Sequence, residues 1–134
     1  MFSRIMYVTV FVSDQDKALD FYTNSFGFQK HADYNGPDGR FLTIALNGHG
    51  SEGQMSADQG FEVLLWLGNP GRARLTPGVG SLFIESDDLR RDFADLKARG
   101  VAFLEPEPET YPFGLRVTAL DPDGNPVALR QTRK

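Results

Sequence analysis

An internal repeat narrows what this chain can fold into more than any other feature. Residues 7–27 and 80–100 read alike: a short strand, an acidic cap, an amphipathic helix and a closing glycine. Superimposing Asp14 on Asp88 pairs Val8 with Leu82, Val10 with Ile84, Leu19 with Phe93 and Tyr22 with Leu96. Val8, Val10 and Val12 alternate with Tyr7, Thr9 and Phe11, and period two with β-branched residues makes a strand. Ser13 and Asp14 then offer side-chain oxygens to cap a helix. Along it Ala18, Leu19, Tyr22 and Phe26 recur at three- and four-residue spacing, giving one apolar stripe. Gly27 and Gly100 close the two helices and miss each other by one residue in the superposition.

The remainder of each half repeats the order as well. Strands are expected over residues 28–34, 40–46 and 61–68, with a turn at NGPDG (35–39) and a polar, glycine-rich loop over 47–60. In the second half they are expected over 101–105, 115–120 and 126–130. There the Pro-rich EPEPETYPFG reads as a loop and DPDGN, residues 121–125, as a tight turn. Each half is therefore β-α-β-β-β, a duplicated supersecondary unit. The expected fold class is α+β: a single domain over 1–134, with module 1 at about 1–70, module 2 at about 78–134, and NPGRARLTPG as the connector.

Composition excludes several function classes. A formal net charge of −4 and the absence of a basic cluster argue against nucleic acid. The basic end RQTRK reads as a solvated tail. Without cysteine there is no disulfide, thiolate nucleophile or zinc–sulfur site. MFSRIMYVTVFV is apolar, but it alternates and Asp14 closes it, so it reads as a first strand of a cytoplasmic protein and not as a membrane segment. No Ser-His-Asp set, P-loop, Rossmann fingerprint or HExxH motif is present.

Four stretches resemble the vicinal oxygen chelate superfamily, which includes glyoxalase I, extradiol dioxygenases and bleomycin and fosfomycin resistance proteins. They are VFVSDQDKALDFYTNSFGF, the SDDL that opens the second helix, ETYPFG, and DPDGNPVAL. The resemblance spans nearly the whole chain. It implies paired βαβββ modules whose mixed sheets curl into a cup, a glyoxalase-like fold often completed by a homodimer.

It also implies where a metal would sit in relatives that use one. The first family histidine maps onto Tyr7, the second onto Ser81, the final glutamate onto Ala128 and the fourth-strand glutamate onto Glu62. A divalent ion needs several imidazoles or carboxylates converging. Alanine has no donor atom, and neutral serine and tyrosine are poor ligands, so the usual metal site is expected to be absent and no cofactor is expected. The only histidines, His31 in FQKHADY and His49 in the GHG loop, read as surface residues.

Strand alternation then assigns the wall of the cup. Tyr7, Thr9 and Phe11 face it from the first strand, Glu62 and Trp66 from the fourth, Ser81, Phe83 and Glu85 from the fifth, and Arg130 from the last. Tyr111 and Phe113 are expected at the rim, with Arg116 following on the next strand, placed to meet a carboxylate. Aromatic area with sparse polar groups is the make-up of a small-molecule site. Arg130, facing the glutamates, is expected to make an ion pair with them in preference to binding an anionic ligand. The expectation is a binding protein for a small aromatic or amphipathic molecule, with no catalytic residue named. The alternative is a metal-dependent lyase, isomerase or ring-cleaving dioxygenase with a shifted site.

Overall fold

The computed structural model describes residues 1–46, 61–68 and 79–132. The chain divides into two compact units, Met1–Gly71 and Arg72–Lys134.

The first unit contains β1 (Tyr7–Val12), α1 (Gln15–Phe26), β2 (Gln29–Gly36), β3 (Gly39–Ala45) and β4 (Glu62–Leu67). Its sheet has the order β1-β4-β3-β2. β1 runs parallel to β4, and the other neighbours are antiparallel. Asp14 caps α1 by accepting from the Lys17 backbone N–H at 3.0 Å. Gly27 ends the helix with a left-handed φ of 79°, so its N–H reaches the Thr23 carbonyl and the Phe28 N–H that of Tyr22. The face turned to the sheet carries Gln15, Ala18 and Tyr22, all buried, while Leu19 and Phe26 of the expected stripe stay partly exposed. Opposite them lie Val10, Val12, Leu42, Ile44, Val63 and Leu65, each nearly or fully buried. Gln15 donates through Nε2 to the carbonyls of Arg40 and Leu65, both at 2.9 Å, and so ties the start of the helix to two strands.

A charged clasp closes the same unit. Arg40 on β3 grips Asp33 on β2 with Nε and Nη2, at 2.8 and 2.9 Å, and reaches Asp16 on α1 with Nη1 at 2.8 Å. The guanidinium holds the Asp33 carboxyl below its ordinary range, and the carboxylates push Arg40 upward.

The second unit contains β5 (Leu82–Glu85), α2 (Leu89–Ala98), β6 (Ala102–Phe103), β7 (Glu109–Tyr111), β8 (Gly114–Leu120) and β9 (Pro126–Thr132). Its order, β5-β9-β8-β6, repeats the first sheet strand for strand. Asp88 caps α2 by accepting from the Arg91 N–H. Leu89, Phe93 and Leu96 are buried on α2, with Leu82, Val117, Ala119, Val127 and Leu129 buried in the sheet. The turn DPDGN is built on Asp121, whose Oδ1 accepts from the Asp123 and Asn125 N–H groups at 2.9 and 2.8 Å. The α+β class with two βαβββ modules is as expected.

Two details differ from the sequence reading. EPEPETYPFG is not wholly a loop, because β7 within it pairs antiparallel with β8. The strand expected over 101–105 is only Ala102–Phe103. Beyond it, the buried Glu105 side chain takes over the ladder: its Oε1 accepts from the Thr118 N–H at 2.7 Å and its Oε2 from the Thr118 hydroxyl at 2.9 Å. No helix among the described residues is long and apolar enough to cross a membrane.

Candidate functional site

Each helix covers one face of its sheet, and the candidate residues stand on the other. In β1 the alternation is as expected: Val10 and Val12 are buried, while Tyr7, Thr9 and Phe11 are exposed. Across β4, Tyr7 lies opposite Glu62, Thr9 opposite Leu64 and Phe11 opposite Trp66. The face is largely aromatic. Phe41 meets the Tyr7 ring edge-on at 5.5 Å and stacks on Tyr34 at 5.2 Å. Trp66 lays its ring against Gly39, where an added Cβ would come within 3.5 Å. Tyr7, Phe11 and Tyr34 remain 39, 49 and 59% exposed, which leaves a large apolar area uncovered in this chain.

The polar end of this face was not expected. β2 carries a bulge between Lys30 and Ala32, and the extra residue is His31. A bulge re-aims the side chain it contains. His31 Nδ1 is hydrogen-bonded to Glu62 Oε1 at 2.5 Å. The Thr43 hydroxyl donates to the same oxygen at 2.6 Å and accepts from the Ala32 N–H. The reading of His31 as a surface residue is therefore corrected: its side chain is 19% exposed, and Nε2 is buried without a partner among the described residues. His49 lies outside the described residues.

On the second sheet, Phe83 and Glu85 lie opposite Ala128 and Arg130. Ser81 precedes β5, is exposed, and donates its N–H to the Pro126 carbonyl. Arg130 lies over the Phe83 ring at 5.0 Å and the Tyr111 ring at 4.9 Å, and its Nη1 donates to the Tyr111 hydroxyl at 3.4 Å. Arg116 lies over Tyr111 at 5.5 Å. Phe113 meets Tyr111 edge-on and is 70% exposed. Glu85 Oε2 accepts from the Thr132 hydroxyl at 2.7 Å. The two glutamates are thus engaged separately, Glu62 by His31 and Thr43, Glu85 by Thr132. A shallow concavity of about 130 Å³, lined by Thr110, Gly114, Leu115, Gln131 and Thr132, is small for a ligand site.

The repeat permits a test of the metal positions. Asp14 and Asp88 both serve as helix caps, which makes Thr9 the counterpart of Phe83. Thr9 pairs with Leu64 and Phe83 with Ala128. The counterpart of Ala128 in the first sheet is therefore Leu64, not Glu62. Neither module's pair fits a divalent ion: Tyr7 and Leu64 offer one phenolic hydroxyl, and Ser81 and Ala128 one aliphatic hydroxyl. Glu62 Oε1 is already engaged by hydrogen bonds with His31 and Thr43. Among the described residues no three His, Cys, Asp or Glu side chains are grouped so as to hold a metal.

The family model described as Glyoxalase/Bleomycin resistance protein/Dioxygenase superfamily matches residues 4–129. The crystal structure of TnmS3, an antibiotic binding protein from Streptomyces sp. CB03234, is similar at 34% identity and a TM-score of 0.74 over 98% of both chains. A superfamily member from Sphaerobacter thermophilus is 31% identical, with a TM-score of 0.75 over 97% of this chain and 98% of its own. The uncharacterized protein YetH of Bacillus subtilis is 30% identical over 98% of this chain and all of its own length.

Proposed function

This chain belongs to the glyoxalase/bleomycin resistance protein/dioxygenase superfamily, and we propose that within it the chain is a metal-independent binding protein for a small planar, aromatic or amphipathic molecule. The observation that carries this reading is the exchange of chemistry at the family's metal positions. At the positions that correspond to the family's ligands stand Tyr7 and Leu64 in the first module and Ser81 and Ala128 in the second, and the first sheet carries Phe11, Tyr34, Phe41 and Trp66 on the same face as Tyr7. Such a surface gains affinity by burying apolar area, at roughly 25 cal/mol per Å², and by stacking on the rings. The similarity to an antibiotic binding protein points the same way. The exposed aromatics also suit a homodimer that holds its guest between two copies.

The test uses the chain's single tryptophan, Trp66, as reporter. Protein purified without chelator is assayed for bound metal, then titrated with a panel of polycyclic aromatics, thiol conjugates and aromatic antibiotics. The expected result is less than stoichiometric metal, together with saturable quenching and a matching rise in thermal midpoint for one aromatic class. A guest at one hundred times its Kd stabilises by about 2.7 kcal/mol. The reading falls if Mn, Fe, Ni or Zn binds tightly at one per chain and switches on an activity, or if no aromatic compound moves either signal.

A further inference from the structure

Arg116 and Arg130 are direct partners across β8 and β9, so two guanidinium side chains leave facing positions on one side of the sheet. Like charges directly opposite one another are unfavourable unless something compensates. Part of the compensation is aromatic, because both cations lie over the Tyr111 ring. A ring face attracts a cation but offers no acceptor to the planar fork of N–H groups. The carboxylates opposite the pair are Glu109, facing Arg116 from β7, and Glu85, facing Arg130 from β5. Arg116 makes no ion pair with either, or with any other carboxylate among the described residues. Its Nε is buried without a hydrogen-bond partner there, while the side chain as a whole is only partly buried.

A donor left unsatisfied in a partly dry place costs stability that a bound acceptor restores. We propose that this face selects a planar aromatic carboxylate, with Arg116 gripping the anionic group and Tyr111 and Phe113 contacting the ring system. The inference rests on the binding function proposed above and adds the charge of the guest. It runs against the protein's overall charge of −4, so the preference is local to this face and does not come from long-range attraction.

Three probes of one shape and different charge test it: 2-naphthoate, 2-naphthylmethanol and 2-naphthylmethylammonium, titrated calorimetrically at neutral pH. A carboxylate on a guanidinium is expected to bind about tenfold more tightly than the neutral alcohol. The ratio is expected to shrink at high salt, as a partly exposed charge pair is screened. In Arg116→Gln the ratio should fall to near one. Arg116→Lys, which keeps the charge and loses the fork, should retain part of the preference. The wild-type ratio and its salt dependence read the proposal even if the glutamine variant folds poorly. Equal binding of carboxylate and alcohol, or an unchanged ratio in a folded Arg116→Gln, overturns the inference and leaves the binding function standing. Failure of all three probes to bind overturns the inference alone, and the wider panel above decides the binding function.

Discussion

At the centre of the helix-distal face of each sheet stands a fully buried threonine, Thr43 in the first module and Thr118 in the second. They are counterparts, since Thr43 lies opposite Leu64 and Thr118 opposite Ala128. Each hydroxyl donates to a glutamate, but the glutamates come from different places. Glu62 sits on the neighbouring strand and is also hydrogen-bonded to His31. Glu105 follows β6 and accepts from the backbone of Thr118 itself. Beyond the threonines the faces diverge further. Phe11 and Trp66 in the first sheet correspond to Glu85 and Arg130 in the second, and Phe41 corresponds to Arg116. The difference teaches which side of the sheet the duplicated pattern constrains. The helix side must pack, and it repeats in both modules as buried aliphatic residues. The far side has no such demand, and there one scaffold carries an aromatic surface in one module and a cation–aromatic surface in the other.

The largest expected effect tests whether the two modules enter their first strands in the same way. Gly80 and Met6 are counterparts immediately before the superimposed Tyr7 and Ser81. A Cβ at Gly80 would lie 2.5 Å from the Ala128 nitrogen, 2.8 Å from the Pro126 oxygen and 2.9 Å from the Leu82 oxygen. All three are backbone atoms, so relief requires moving the strands. Gly80→Ala should cost about 3 kcal/mol or more, and Met6→Ala, at a residue 54% exposed, less than about 0.5 kcal/mol. Urea unfolding midpoints compare the two. If both substitutions prove mild, the asymmetry at the strand entries is unimportant to stability.

A smaller effect probes the polar cluster that only the first module has in this form. His31→Phe and Glu62→Gln, made singly and together, form a double-mutant cycle. A part-buried hydrogen bond to a charged group should give a coupling of about 1–2 kcal/mol. A coupling near zero would mean that the bulge, and not the hydrogen bond, holds His31 in place.

Much of the fold was legible because it depends on local periodicity. The valines of β1, the stripe of each helix, and the caps Asp14 and Asp88 follow from residues close together in the chain. The turn at Asp121 is local in the same way, with its side chain bonding the backbone two and four residues on. What was missed depends on partners distant in sequence. β7 is three residues in a proline-rich stretch, and it is a strand only because β8 offers it an edge. β6 stops early because the Glu105 side chain satisfies Thr118 where a backbone carbonyl would otherwise do so. His31 belongs to the face of Glu62 only through the bulge in β2, which is a property of its pairing with β3. The identities of Tyr7, Ser81 and Ala128 were plain from the sequence, but that Leu64 and not Glu62 corresponds to Ala128 needed the register of both sheets.

The smallest expected effect concerns the clasp of Arg40, Asp33 and Asp16, which spans α1, β2 and β3. The second module has Leu115 where the first has Arg40, so it lacks this clasp. Asp33 is held below its ordinary carboxyl range by the hydrogen-bonded Arg40 guanidinium beside it. A carboxyl with a folded pKa below its unfolded value contributes stability above the unfolded value, about 3.9. That contribution is lost as the pH falls through the lower folded pKa. The clasp should therefore act fully at neutral pH and fade only below about pH 4. Asp33 and Arg40 are each about one-quarter exposed, so solvent screens the pair and its worth is small. Asp33→Asn should lower the urea midpoint modestly at pH 7 and hardly at all near pH 2.5, so that the wild-type and variant curves converge as acid is added. The control in the second module, Leu115→Ala, should show a difference from wild type that does not depend on pH. If the Asp33→Asn difference stays constant down to the acid limit, the carboxylate charge is not what the clasp contributes, and hydrogen bonding to Arg40 that survives protonation of Asp33 carries it instead.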